Sequence, residues 1–324
     1  MDKLNKLRKF WKNKKVFVTG HTGFKGSWLI IMLNLMGAKA YGYSLKPKKN
    51  SLFKEIGGNK LLAKNFYGNI NNKNLLRSKI FSIKPEIIFH LAAQPLVINS
   101  YKNPLNTFKT NIIGTANLLE SVKNIDCIKS VVIITTDKVY KNKKKETFFS
   151  EEDELGGVDP YSASKACAEL IISSYISSFF KNTKLKNKIS SVRSGNVIGG
   201  GDYSANRLVP DIIKSINKNK KLNIRNPKHI RPWLHVIEPL FGYILVAEKQ
   251  ISLKMVNSPR WNFGPDKNNI ISVSKLVEMF KKIKNLKVNY LKHDKKIFET
   301  TSLKLNNKKS KKILGWKPKW SIQK

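Results

Sequence analysis

Apolar and polar positions recur along this chain with two periods, and their order predicts a parallel α/β fold. Lys15-Val-Phe-Val-Thr19 is a short β-branched run, followed by a glycine-rich turn and an amphipathic stretch at 27–36. The pattern predicts strand, turn and helix. Residues 38–44 predict a second strand, 72–82 a helix, and 87–91 a strand beginning after the breaker Pro85. Residues 104–122 predict a long helix, 130–135 a strongly apolar strand, 161–180 a helix and 189–193 another strand. Strands read as buried and alternating with helices imply a parallel sheet covered on both faces.

Beyond Gly199-Gly-Gly201 the periodicity loosens. Pro210, Pro227, Pro232 and Pro239 bound short pieces, with helical stretches at Leu208–Asn217 and 239–249. A doubly wound parallel Rossmann sheet over 1–194, with a smaller mixed lobe over 195–324, is expected. The two are interleaved, because no low-complexity linker or repeat separates them.

Composition narrows the class. At 324 residues and 41% hydrophobic content the chain can bury one large core or two lobes. The basic start, Met1 to Lys15, lacks the apolar stretch of a secretory signal, and the apolar stretch at 27–38 is broken by Asn34. It is shorter than the roughly 20 residues that span a bilayer. A soluble cytoplasmic protein with no membrane partner is expected. Cys127 and Cys167 form no CxxC pair and sit near no histidine cluster, so reduced thiols and no metal site are expected.

The formal charge of +41 opens a rival reading, a basic nucleic-acid-binding protein without catalysis. The excess is mostly lysine dispersed along the chain, and arginine, the better reader of bases and phosphates, occurs seven times. Lys141 to Lys145 is the best candidate patch, and even there a solvated surface loop is the favoured reading. No nucleic-acid partner is expected.

Candidate chemistry begins at Thr19-Gly20-His21-Thr22-Gly23-Phe24-Lys25-Gly26, between the first strand and its helix. Gly20 permits the tight turn, Gly23 the approach of a pyrophosphate, and Gly26 close helix–strand packing, with positive potential at the helix start. The acidic residue usual about 20 residues later, which holds an adenosine ribose, is missing. Ser44 stands there instead, and nearby Lys46 would even favour a 2′-phosphate. Asn69 is a candidate partner for adenine.

Tyr161-Ser-Ala-Ser-Lys165 puts a phenol and an ammonium on one helix face. The lysine can lower the tyrosine from its usual pKa of about 10, making it a base toward a sugar hydroxyl. Thr136-Asp137-Lys138 follows an apolar strand at its carboxyl end, where open α/β sheets place ligands. A hydroxyl, a carboxyl and an amine in succession suit hydroxyl binding and proton transfer.

In order, TGxxGFxG, His90-Leu-Ala-Ala-Gln94, Asn111-Ile-Ile-Gly-Thr115, YxxxK and Arg193-Ser-Gly-Asn196 resemble the extended short-chain dehydrogenase/reductase family across nearly the whole chain. Within it, Gly20-His-Thr-Gly-Phe-Lys-Gly-Ser27, Ala93-Gln-Pro-Leu-Val97, Gly195-Asn-Val-Ile-Gly-Gly-Gly-Asp202 and Ile230-Arg-Pro-Trp233 are similar to the group of 4,6-dehydratases acting on CDP-glucose. The group acting on dTDP-glucose carries Glu where this chain has Lys138.

The resemblance implies a redox-neutral dehydration with NAD as a recycled hydride store. It implies an NAD site made by Gly20, Thr22, Gly23, Phe24 and Gly26, by Ser44, Asn69 and Ile70, and by the strand-end residues Leu91, Ala92 and Ala93. Asn111, Tyr161 and Lys165 complete that site. Tyr161 would take the proton of the 4-hydroxyl, which Thr136 binds, and Asp137 would protonate the departing 6-hydroxyl. Lys138 holds the position of the C5 base, acting either as a neutral amine or as a cation stabilising the enolate. Substrate contacts fall to Gln94, Asn196, Arg207, Arg225 and Arg231, whose paired hydrogen bonds suit a diphosphate. His90 and His235 are expected to be structural. A dehydratase of another nucleotide, or a 4-epimerase, shares these features. A homodimer or higher homo-oligomer packed through 104–122 and 161–180, and a further helical segment after Leu314-Gly-Trp316, are also implied.

Overall fold

The computed structural model describes residues 3–141, 148–252, 259–291 and 302–323. Residues 142–145 of the basic run therefore lie outside the described residues. A first helix, α1 (Lys3–Trp11), precedes β1 (Lys15–Thr19), α2 (Phe24–Leu35), β2 (Lys39–Ser44), α3 (Leu52–Glu55) and β3 (Lys64–Tyr67). Then come α4 (Lys73–Ile83), β4 (Ile87–His90), α5 (Val97–Lys102), α6 (Pro104–Phe108), α7 (Gly114–Val122) and β5 (Ser130–Ile134). The helix α8 (Pro160–Tyr175) leads to β6 (Ile189–Ser194) and β7 (Asn196–Ile198), and α9 (Leu208–Asn217) to β8 (Leu222–Ile224) and β9 (Ile230–His235). The rest comprises α10 (Ile237–Ser252), β10 (Arg260–Phe263), β11 (Ile270–Ser272), α11 (Val273–Ile283), β12 (Val288–Tyr290) and α12 (Lys308–Leu314).

Seven parallel strands form the main sheet in the order β10-β6-β5-β4-β1-β2-β3. The order reverses between β1 and β4. A crevice for a ligand opens at such a switch point, outside the carboxyl ends of the strands. On one face Leu29, Ile30 and Leu33 of α2 pack with Leu240, Tyr243 and Ile244 of α10 and with Trp11 of α1. On the other, Leu76 and Ile80 of α4, Leu118 and Leu119 of α7 and Ile172 of α8 cover the sheet. β4 and β5 are buried at every position, which explains their continuous apolar character.

Three features depart from the sequence pattern. The helix expected over 104–122 is α6 and α7 joined by a π-helical turn at Lys109–Ile113, and α8 ends in a similar turn at Ile176–Phe180. Such turns insert a residue into a 3.6-residue period and leave no mark on an apolar pattern. β10 returns from the later half of the chain to pair with β6. The smaller sheets are β11-β9-β7 and β12-β8.

Candidate active site

One cavity of about 1060 Å³ runs from the glycine loop across the ends of β1, β4 and β5 into the smaller lobe. Gly20 has φ of +73°, and a Cβ there would lie 2.6 Å from the backbone nitrogen of Ala92. A Cβ on Gly26 would lie 2.2 Å from the Gly20 carbonyl oxygen. Glycine at both positions lets the first strand, the start of α2 and the end of β4 meet as a backbone cradle. Gly23 and Phe24 line it at the helix start, with Leu91, Ala92 and Ala93 opposite.

At the end of β2 the Thr22 hydroxyl lies 2.8 Å from that of Ser44 and donates to the Leu45 carbonyl. Asn69 and Ile70 complete this wall, the Asn69 Oδ1 accepting from the Asn71 amide. The carboxylates among the described lining residues are Asp137, Asp202 and Asp211, so none stands at β2.

Behind the β4 wall lie Gln94 and Asn111, both buried and neither lining the cavity. Asn111 accepts from the Gln94 amide and donates to the Gln94 carbonyl and to Ser164 Oγ. Gln94 in turn spends its side chain on Leu96 and Thr107. These two residues, read from sequence as ligand contacts, brace the wall that ligands would touch. His90 is similar, 2.7 Å from the Thr19 hydroxyl and held neutral by burial, with its pKa near 3.

Thr136, Asp137 and Lys138 turn away from the end of β5, with Thr136 capping the turn by accepting from the Lys138 amide. Its hydroxyl also donates to Asp137 Oδ1 at 3.1 Å, while Oδ2 accepts no hydrogen bond among the described residues. Burial pushes the Asp137 carboxyl above its ordinary range against Lys138, the Thr136 bond, Arg231 and Lys25. Facing it, α8 starts at Pro160 with Asp159 capping, which is why Tyr161 and Lys165 sit in its first two turns.

The expected lowering of the Tyr161 pKa by Lys165 is not what the geometry gives. Burial pushes the phenol up to about 12, partly opposed by its bond to Thr136. The Lys165 ammonium donates to the Ile134 carbonyl at 3.1 Å, and burial lowers it to about 8. With its proton directed at a carbonyl, Lys165 does not supply a dominant pull on the phenol.

Lys25, a spacer in the sequence reading, belongs to this centre. Its ammonium donates to Ser194 Oγ at 3.0 Å, and Ser194 also accepts from the Tyr243 hydroxyl at 2.9 Å. Burial, with Arg207 and Lys165 nearby, drops its pKa to about 7. The signal available in sequence was a cation in the first turn of a helix, where the dipole disfavours it.

The smaller lobe brings its arginines to the same cavity. Arg207 precedes α9 and pairs with Asp202 at 2.9 Å, Arg225 follows β8, and Arg231 on β9 is buried with Nη2 3.0 Å from His229 Nδ1. Asn196 on β7 lines the same wall. His235 is wedged between Trp28 and Trp320 and does not line the cavity.

A glycine cradle at the switch point, with tyrosine, lysine and a Thr-Asp-Lys turn across from it, defines a Rossmann enzyme of the extended short-chain dehydrogenase/reductase class. The chain belongs to the GDP-mannose 4,6 dehydratase family, whose model matches residues 17–324. A CDP-glucose 4,6-dehydratase of Salmonella typhimurium is 44% identical over 97% of this chain and 89% of the relative. A dTDP-D-glucose 4,6-dehydratase of Dictyostelium discoideum is 30% identical over 73% of this chain and 56% of the relative. Among solved structures, a Bacillus anthracis dTDP-glucose 4,6-dehydratase in complex with NAD superposes with a TM-score of 0.79 at 23% identity. It covers 96% of this chain and 93% of its own. The recognition made from the motifs thus meets a relative of the same activity.

Proposed function

We propose that this chain is a cytoplasmic, NAD-dependent 4,6-dehydratase that converts CDP-glucose to CDP-4-keto-6-deoxyglucose and water. The observation that carries the reading is one cavity shared by the Thr136-Asp137-Lys138 turn, Tyr161 and Lys165. The 44% identical relative of that activity supports it. The glycine cradle fits a dinucleotide, because glycine at positions 20 and 26 lets the turn after β1 close against the end of β4 and the start of α2, where backbone N–H groups can meet a pyrophosphate. Bound NAD would supply the hydride store, filled at sugar C4 and emptied at C6.

The chain's own groups supply the proton chemistry. Thr136 binds the 4-hydroxyl and Tyr161 accepts its proton, while Lys165, one turn along the same helix, is the group placed to hold the ribose of the cofactor. The 4-ketone acidifies the C5 hydrogen, which leaves at Lys138. Asp137, whose carboxyl burial keeps ready to hold a proton, donates to the departing 6-hydroxyl. Residues 1–194 are assigned to the cofactor. Residues 195–324 mainly hold the nucleotide diphosphate, through Arg207, Arg225, Arg231 and Asn196. Exposed Leu105 and Ile113 on the α6–α7 stretch, and Leu170 and Phe179 on α8 and its extension, are apolar positions to be covered by a second copy.

Purified protein with NAD should convert CDP-glucose in preference to dTDP- and UDP-glucose, with the 4-keto product identified by mass spectrometry. Turnover of dTDP- or UDP-glucose alone, or epimerised product without loss of water, would replace this reading with another activity of the family.

A further inference from the structure

Glu169 and Arg193 are the most completely bonded charged pair among the described residues, and neither lines the cavity. Both side chains are buried, at 1% and 0% exposure. Arg193 binds the Glu169 carboxylate with two parallel contacts of 2.9 Å, Nε to Oε1 and Nη2 to Oε2. Each carboxylate oxygen takes one further hydroxyl at 2.6 Å, Thr135 on Oε1 and Ser191 on Oε2. The remaining guanidinium nitrogen, Nη1, donates to the Tyr140 hydroxyl at 2.8 Å and to the Glu151 carbonyl. Tyr140 donates onward to Asn262 Oδ1 on β10 and stacks on Phe149 with ring centroids 4.8 Å apart.

Such a pair is a poor source of stability, because the cost of drying two charges offsets most of their attraction. Its value lies in what it holds. Thr135 immediately precedes the Thr136-Asp137-Lys138 turn, and Tyr140 follows it after Val139. One ion pair thus grips the hydroxyl before the turn and the phenol after it. Glu169 also lies one helical turn beyond Lys165, so α8 is stitched to consecutive residues: Lys165 to the Ile134 carbonyl, Glu169 to the Thr135 hydroxyl.

We propose that Glu169 and Arg193 are positioning residues that fix the Thr136–Lys138 turn against Tyr161 and Lys165, acting through Thr135 and Tyr140. The proposal rests on the dehydratase reading for its activity measurement only. A turn held at both ends keeps three side chains of different role in register with one sugar ring, where displacement by about 1 Å can cost on the order of a hundredfold in rate.

The test uses the full chain with NAD and the paired variant Thr135→Val, Tyr140→Phe. This cuts both tethers and leaves the ion pair in place. Tyr140 is not a lining residue, and Thr135, which is, keeps its shape as Val and loses only the hydroxyl that donates to Glu169. The expected result is a kcat lower by about ten- to a hundredfold, with KM for CDP-glucose and NAD affinity within about twofold of wild type. Hydrogen exchange followed by mass spectrometry should show the amides of residues 136–139 opening faster while those of β5 and β6 keep their protection. A folded double variant with wild-type kcat, or a change confined to KM, overturns the proposal. If wild-type protein fails to turn over CDP-glucose, the functional reading falls instead. The exchange data then decide alone, and unchanged protection at 136–139 refutes the tether. Glu169→Gln should reproduce the kcat loss with a larger fall in Tm, since it leaves the Arg193 charge buried without its partner.

Discussion

The two lobes solve opposite problems. In the main sheet β1, β4, β5 and β6 carry four to six residues each, buried at nearly every position, and their carboxyl ends are fixed by neighbours on both sides. In the smaller lobe β7, β8, β11 and β12 have three residues each and β7 and β11 are only partly buried. Asp137 and Lys138 hang from the end of β5, and Tyr161 and Lys165 from α8 beside it. Of the cavity's arginines, Arg225 follows the three-residue β8, Arg207 precedes α9 and Arg231 lies on the longer β9. Rigid strand ends suit chemistry that needs sub-ångström placement, whereas short strands and turns suit a surface that selects among nucleotides.

The sharpest way to break that division is Tyr161→Phe. It should lower kcat by about 10²–10⁴-fold while Tm stays near wild type, because only a hydroxyl at the cavity wall is lost. Circular dichroism melting beside steady-state kinetics checks both halves, and near-normal turnover would remove Tyr161 from the chemistry.

A smaller effect is expected across the cleft. Arg225→Ala should raise KM for the nucleotide sugar about tenfold and leave kcat nearly unchanged, as for a contact made equally in ground and transition states. A fall in kcat at unchanged KM would mean that the smaller lobe shapes the transition state and that the division is false.

The smallest effect concerns Lys25, the buried cation in the first turn of α2. Its folded pKa of about 7 lies below the ordinary 10.5, so the folded chain binds fewer protons than the unfolded chain between those values. The penalty is full below about pH 7 and fades as the pH rises toward 10.5. Lys25→Met should therefore raise the Tm of the ligand-free protein by a few degrees at pH 6.5 and progressively less toward pH 10. Scanning calorimetry across that range is the check. A gain that grows with pH would reverse the assignment.

How far the sequence revealed this molecule follows the same division. The β1 run and α9 coincide with their expected bounds, since a β-branched run and a proline-bounded amphipathic stretch each carry a clear period. The helix α1 is hidden in the sequence because its apolar residues Leu4, Leu7, Phe10 and Trp11 are dispersed among lysines in a run of only nine residues. β8 and β12 pair across 66 residues in runs of three, too short for any period to declare itself.

At the site, contiguous motifs were visible and relations between motifs were not. The residues of Thr136-Asp137-Lys138 and of the YxxxK helix are adjacent or one turn apart. Arg193 finds Glu169 at a separation of 24 residues and Tyr140 at 53, and nothing linear marks the meeting. Gln94 and Asn111 were legible as important residues but not as a brace, because their hydrogen bonds turn inward only once the β4 wall exists.

The return of β10 to the edge of the main sheet constrains how such enzymes can be recombined. The chain leaves the large sheet after Ser194, comes back as α10 against its face at Ile237, and closes the edge with Arg260–Phe263 before leaving again. A substrate lobe cannot be exchanged between relatives as a single cassette. A working chimera has to splice at three junctions, after Ser194, before Ile237 and after Phe263, carrying the donor's short strands while keeping the recipient's α10 and β10.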